Sequence, residues 1–406
     1  MPTTGFTDND GIDVGNKYVT KDYVMNFYPD IAPNMKTPQL LVCGNNALGG
    51  LGDNSSTNKS SPVTVSGGGT NWQQVACTSI NGMGIKTDGT LWTWGANAVG
   101  QLGDGSTTSR SSPGTTAGGG TTWKQVAGGL GSTANSGSMA AIKTDGTLWT
   151  WGHNNNGQLG NGALLSRTSP GTTAGGGTNW KQVSCCTSAN SFMAAVKTDG
   201  TLWTWGAGTA GVLGDGTVTA KQSPVTTAGG GTNWKQVSCG DQHSAAVKTD
   251  GTLWAWGEAY SFRLGDGTIA NKSSPVTTIL GGTTWKQVSC GGSHTAAIKT
   301  DGTLWAWGNN ASGQIGIGTA TGTAASPVTT IGGGTNWRQV ALGGSSSYAI
   351  KTDGTLWIWG INTEGQLATG NTSTISSPTT TTMGGTNWKS VAPSYNLFAI
   401  SEAEGW

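Results

Sequence analysis

The sequence predicts an all-β fold, a seven-bladed β-propeller of four-stranded blades in which one blade is shared between the N- and C-terminal strands. Three observations predict it. The string KTDGTLWxWG occurs six times, starting at Lys86, Lys143, Lys197, Lys248, Lys299 and Lys351. A tryptophan in the string G-[TN]-[NT]-W-x-x-V occurs seven times, at Trp72, Trp123, Trp180, Trp234, Trp285, Trp337 and Trp388. From the glycine ending WxWG, or its equivalent Gly44, to the next of those tryptophans is 28 residues six times in seven; Gly308 to Trp337 is 29. Spacing that regular means one copied unit, and a unit of about 51 residues suits a four-stranded blade.

Each strand has its own signal. WKQVSC alternates as strand A and SAAVKT as strand B. The Asp-Gly of TDGT favours positive φ and closes a tight B–C hairpin. TLWAWG is strand C, with its tryptophans two apart on one face. SPVTT is strand D, whose proline suits an edge. LLVCG (40–44) reads as a strand C with no A or B before it, and 388–401 as A and B with no C after them. The two ends therefore complete the seventh blade, giving a propeller over 40–401, an N-terminal arm at 1–39 and a tail at 402–406.

Composition removes several function classes. Lys plus Arg is 21 and Asp plus Glu is 20, a net charge of +1, which excludes a strongly basic nucleic-acid binder. Twenty tryptophans exclude a charge-solvated disordered chain. No apolar run reaches the ~18 residues of a membrane span. The N-terminus lacks the basic and apolar regions of a secretory signal. Six cysteines in 406 residues are too few for a disulfide scaffold.

No catalytic constellation, cofactor motif or metal site is expected. HExxH, GxSxG and phosphate loops do not occur, and His153, His243 and His294 fall in three different blades. Asp8 to Asp13 (DNDGID) lacks the remaining EF-hand spacing. Cys77, Cys185, Cys239 and Cys290 share one repeat position and read as small buried packing residues. The repeated lysines of KQV and KTD form two rings, read as solvated strand ends.

The segments CGDQHSAAVKTDGTLWAWG (239–257) and CGGSHTAAIKTDGTLWAWGNNASGQIG (290–316) resemble the repeat of the regulator of chromosome condensation family, with His243 and His294 at its repeat histidine. The resemblance covers 40–401 and implies the propeller with cross-terminal closure. It leaves function open, since such propellers include exchange factors, inhibitors and binding modules. The uniform, charge-poor repeats also look like bacteriophage virion proteins. The arm GIDVGNKYVTKDYVMNFYPDI resembles N-terminal segments of propellers from phages of cyanobacteria.

The expectation drawn is a non-enzymatic virion protein, a tail, fibre or capsid-surface component assembled in the host cytoplasm. Its arm would bind other virion proteins through Tyr18, Tyr23, Phe27 and Tyr28. A host surface receptor or glycan is the further partner; nucleic acid and membrane insertion are not expected. The alternative is a cytoplasmic cellular regulator or inhibitor that binds a protein, and the second alternative a glycan-binding propeller. Contact residues are sought where copies differ. From strand-A valine to strand-B lysine is eleven residues in four blades, but seventeen from Val126 to Lys143 and fourteen from Val183 to Lys197. The two longer A–B loops offer Leu130, Thr133, Asn135 and Ser138, then Thr187, Asn190 and Phe192. For the glycan-binding alternative the contact would come from the aromatics Tyr260 and Phe262 in the loop GEAYSFRLGDG.

Overall fold

The computed structural model describes residues 39–401 apart from 68, 130–135, 187–190 and 383. They belong to one of two compact units of the chain, Pro38–Glu402. Seven four-stranded antiparallel sheets form blades 1 (72–115), 2 (123–172), 3 (180–226), 4 (234–277), 5 (285–329) and 6 (337–380), with blade 7 made of both ends. Blade 4 is typical: strand A Trp234–Cys239, B His243–Lys248, C Leu253–Gly257 and D Lys272–Thr277. Blade 7 takes A from Trp388–Pro393, B from Asn396–Ser401, C from Leu40–Gly44 and D from Lys59–Thr64. The terminal pairing runs in full register from Leu40 opposite Ile400 to Gly44 opposite Asn396. The cross-terminal closure expected from the repeat count is therefore present.

The core is divided rather than central. Seven apolar clusters each join one blade to the next; Leu202 and Val196 of blade 3, for example, pack with Trp234, Val237 and Trp256 of blade 4. The strand-A tryptophans are 1–4% exposed. Trp234 meets both strand-C indoles of its blade edge-on, Trp254 at 6.3 Å and Trp256 at 6.2 Å. Each indole removes roughly 150–250 Å² from water, about 4–6 kcal/mol at ~25 cal/mol/Å² before conformational entropy offsets it.

The strand-B lysines are more than solvated strand ends. Lys248 Nζ sits 4.6 Å from the Trp234 ring and 4.5 Å from Trp254, held between two π faces. The same sandwich recurs at Lys86, Lys143, Lys197, Lys299 and Lys351. Where blade 7 has Ser401 for lysine, it also has Leu41 for the outer tryptophan. The TDGT turn is equally specific. Trp254 donates to Thr252 Oγ1, which donates to Asp250, while Gly251 O accepts from Trp285 N of the next blade. Gly251 has φ +80°, and a Cβ there would stand 2.1 Å from the carbonyl of Thr283.

Candidate functional site

The A–B and C–D loops share one face of the ring, and the B–C turns and D–A loops share the other. Antiparallel strands impose this. Strand A is innermost, and all seven strands A line an axial cavity of about 240 Å³. Within it, Gln182 donates to Val237 O at 2.8 Å and accepts from Val237 N at 2.9 Å. Gln125, Gln236 and Gln287 clamp Val183, Val288 and Val340 in the same two-bond manner. Blade 7 carries Ser390 at this position.

One C–D loop carbonyl staples each blade to the next. The second strand-C indole donates to the carbonyl of Gly50, Gln101, Gln158, Val212, Arg263 or Gln314 of the preceding blade at 2.9–3.0 Å. Strand-B hydroxyls add to it: Thr295 donates to Arg263 O at 2.8 Å and Ser347 to Gln314 O at 2.8 Å. Since those hydroxyl protons are committed, His243 Nε2–H must donate to Thr295 (2.8 Å) and His294 Nε2–H to Ser347 (3.0 Å). Burial holds both imidazoles neutral, with His294 pushed down to about 3 and His243 well below its usual value. The repeat histidines thus join the interblade staples.

This scaffold presents the loops in which the copies differ. Leu130, Thr133, Asn135, Thr187 and Asn190 lie outside the described residues, as do Tyr18, Tyr23, Phe27 and Tyr28. Ser138 and Phe192 are each 1% exposed. Both open strand B beneath their loops, at the position of His243, and Phe192 belongs to the blade 3–4 core. They anchor the loops and are not offered to a partner. Tyr260 is 69% exposed and Phe262 half-buried.

The loop carrying Tyr260 is pinned from below. Arg263, 4% exposed, pairs with Glu258 at 2.8 Å, and its Nε donates to Tyr260 O at 2.9 Å. Burial pulls the Arg263 pKa down, opposed by Glu258 and Asp241. Ser261 and Phe262 both take positive φ, +60° and +61°, a strained pair held by that buried arginine.

Sequence reading missed a second feature of this face. Two residues beyond the glycine of each GDG-type motif, blades 2, 3 and 4 carry Leu164, Val218 and Ile269, exposed by 48, 63 and 66%. Blades 7, 1, 5 and 6 have Ser56, Thr107, Ala320 and Thr372 there. Leu165 (79% exposed) and Tyr260 flank the run. Aligning the C–D loops position by position, as the A–B loops are aligned above, exposes this arc. It falls on consecutive blades, two of which also carry the longer A–B loops.

All six cysteines are buried, and burial raises the thiols of Cys43, Cys77, Cys185, Cys239 and Cys290, the first and last to about 12. Among the described residues no group of three or more His, Cys, Asp or Glu side chains is placed to hold a metal. No helix among them is long and apolar enough to cross a membrane.

Comparison with known proteins agrees with this geometry. The family model described as the RCC1-like domain matches residues 132–404, and the regulator of chromosome condensation (RCC1) repeat matches 88–134. The ultraviolet-B receptor UVR8 of Arabidopsis thaliana is 31% identical over 236 residues, 58% of this chain and 53% of the receptor. The chain thus spans about half the length of that relative. Human WBSCR16 superposes with a TM-score of 0.77 at 20% identity, covering 90% of this chain and 99% of the other. Yeast RCC1 (Prp20), solved bound to Kap60, also gives 0.77, at 16% identity over 92% and 90% of the two chains. The structural matches share the fold, and the family model spans well over half of the sequence: this chain belongs to the RCC1-like domain family.

Proposed function

We propose that this chain is a protein-binding propeller of the cellular-regulator kind, which presents its A–B and C–D loop face to a protein partner and catalyses no reaction itself. The observation that carries the reading is the exposed set of Leu164, Val218 and Ile269 at one loop position on three consecutive blades, joined by exposed Leu165 and Tyr260 in the same C–D loops. Large apolar side chains repeated at one exposed position mark an interaction surface, whereas scattered ones do not. A solved relative, yeast RCC1, is seen bound to the protein Kap60. The comparisons favour the regulator over the virion component, since the relatives named are plant, human and yeast proteins.

The test is capture from a lysate of the source cells with tagged wild-type chain and a variant carrying Leu164→Ser, Leu165→Ser, Val218→Ser, Tyr260→Ser and Ile269→Ser. A protein held by the wild type and lost by the variant, at unchanged melting temperature, supports the reading. Equal capture by both removes this face from the interaction. Recovery of the chain only inside purified virus-like particles would return the virion role to first place.

A further inference from the structure

The opposite face carries a feature independent of that reading. In every blade the strand-A register skips the residue after the tryptophan: Trp234 faces Lys248 and Gln236 faces Val247, leaving Lys235 without a cross-strand partner. This is a β-bulge, which turns one side chain out of the ladder. Six of the seven blades place a cation there, Lys124, Lys181, Lys235, Lys286, Arg338 and Lys389; blade 1 has Gln73. All six are exposed.

Strands A line the axis and begin on the B–C turn face, so the six cations surround that mouth of the channel. Two of them reach along the ring to the next blade. Lys235 Nζ reaches Lys286 O at 3.4 Å, and Arg338 Nη2 reaches Trp388 O at 2.6 Å. None of the six is in an ion pair among the described residues. The pairs present join Asp53 to Lys59, Asp104 to Arg110, Asp215 to Lys221, Glu258 to Arg263 and Asp266 to Lys272, all on the other face. The aspartates nearest in the fold, those of the TDGT turns, are committed to their own threonines. Each of those turn carboxylates keeps its charge and is offset by the strand-B lysine of its own turn, so among the described residues the six bulge cations are positive charge in excess round one opening. A concave mouth lined by one sign of charge focuses its field on a counter-ion.

We propose that this mouth binds a multivalent oxyanion of the oligophosphate class, spanned by several of the six cations at once. The test is calorimetric titration of the full chain with tripolyphosphate at low, physiological and high salt. The expected result is one anion per chain, with affinity that falls steeply as salt rises. Lys181→Gln, Lys235→Gln and Lys286→Gln together should weaken binding by about tenfold or more, since half of the ring's charge is lost. The charge-matched control, Lys59→Gln, Lys221→Gln and Lys272→Gln on the other face, should stay within about twofold. Equal weakening by both variants would show diffuse attraction and overturn the site. So would undetectable binding at low salt. A hexaglutamate peptide that binds as tightly as tripolyphosphate would overturn the oligophosphate assignment.

Discussion

Tyr348 donates its hydroxyl to the carbonyl of Gln366 at 3.0 Å. In the six other interfaces the equivalent carbonyl accepts from a tryptophan indole of the following blade. Blade 7 has Cys43 at that tryptophan position, and its thiol reaches Gln366 O at 3.7 Å. Tyr348, on strand B of blade 6, fills the volume the missing indole leaves and restores the bond. A matching exchange occurs on the other side of blade 7. Phe398 stacks on Trp94 at 5.8 Å and 9°, over Gly82, where a Cβ would meet both rings within 2.5 Å.

Cys43 and Tyr348 should therefore be coupled in stability. Cys43→Trp alone overfills the seam and should cost about 1–3 kcal/mol. Tyr348→Ala alone opens a cavity and should cost about 3–5 kcal/mol. The double variant should cost clearly less than the sum, as read from urea unfolding in a double-mutant cycle. Strict additivity would show that the two side chains do not share one site.

The lysine sandwiches separate two lysines thirteen residues apart. Lys248→Gln should lower stability by about 0.5–2 kcal/mol, because two cation–π contacts are lost. Lys235→Gln, which changes an exposed side chain, should stay within about 0.5 kcal/mol. Chemical denaturation of the two variants checks the contrast.

Acid should unfold the ring in two stages. The folded pKa of His294 lies at about 3, below its ordinary 6.5, so the unfolded chain takes the proton first. Stability from the neutral ring is whole above pH 6.5 and falls with decreasing pH by about 1.4 kcal/mol per unit per histidine until the folded value is reached. His243, also held below its ordinary value, adds to that slope. The TDGT carboxylates follow. Their threonine hydrogen bonds hold Asp88, Asp199 and Asp353 below 3.8, so their contribution is present above that value and is lost beneath it. His294→Asn, which installs the residue that Asn81 and Asn396 already supply at this repeat position, should flatten the slope between pH 6.5 and 4 by one proton. Urea midpoints across that range decide it.

The amide clamps stop at blade 7, where Ser390 replaces glutamine. Ser390→Gln should reach the backbone of Val75 in blade 1 and raise stability by about 0.5–1.5 kcal/mol. A lowered thermal midpoint would show that the next blade is out of reach there.

Strand order, blade count and closure were legible because KTDGTLWxWG and its companions repeat at fixed spacing. The aromatic pair in GEAYSFRLGDG also marked the loop of Tyr260, whose side chain is exposed. Three things were not legible. Ser138 and Phe192 look like loop residues until pairing with Gly152 and Gly206 places them in strand B. The lysine sandwich depends on strands A and C meeting across B, which spacing along the chain does not reveal. The bulge that turns out Lys235 is a register shift, a property of paired strands and not of either sequence alone.

The closure of blade 7 has a consequence for how the chain can be cut. Ser401 and Leu40 stand where Lys248 and Leu253 stand in blade 4, with Thr-Asp-Gly-Thr joining the latter pair. Inserting that tetrapeptide between 401 and 40 would turn the described propeller into a covalent circle, and opening any other TDGT turn would make a circular permutant. Each such permutant should fold. One opened at the TDGT turn of blade 3, three blades from both Cys43 and Tyr348 round the ring, would separate the mechanical break from the chemical irregularity that now accompanies it.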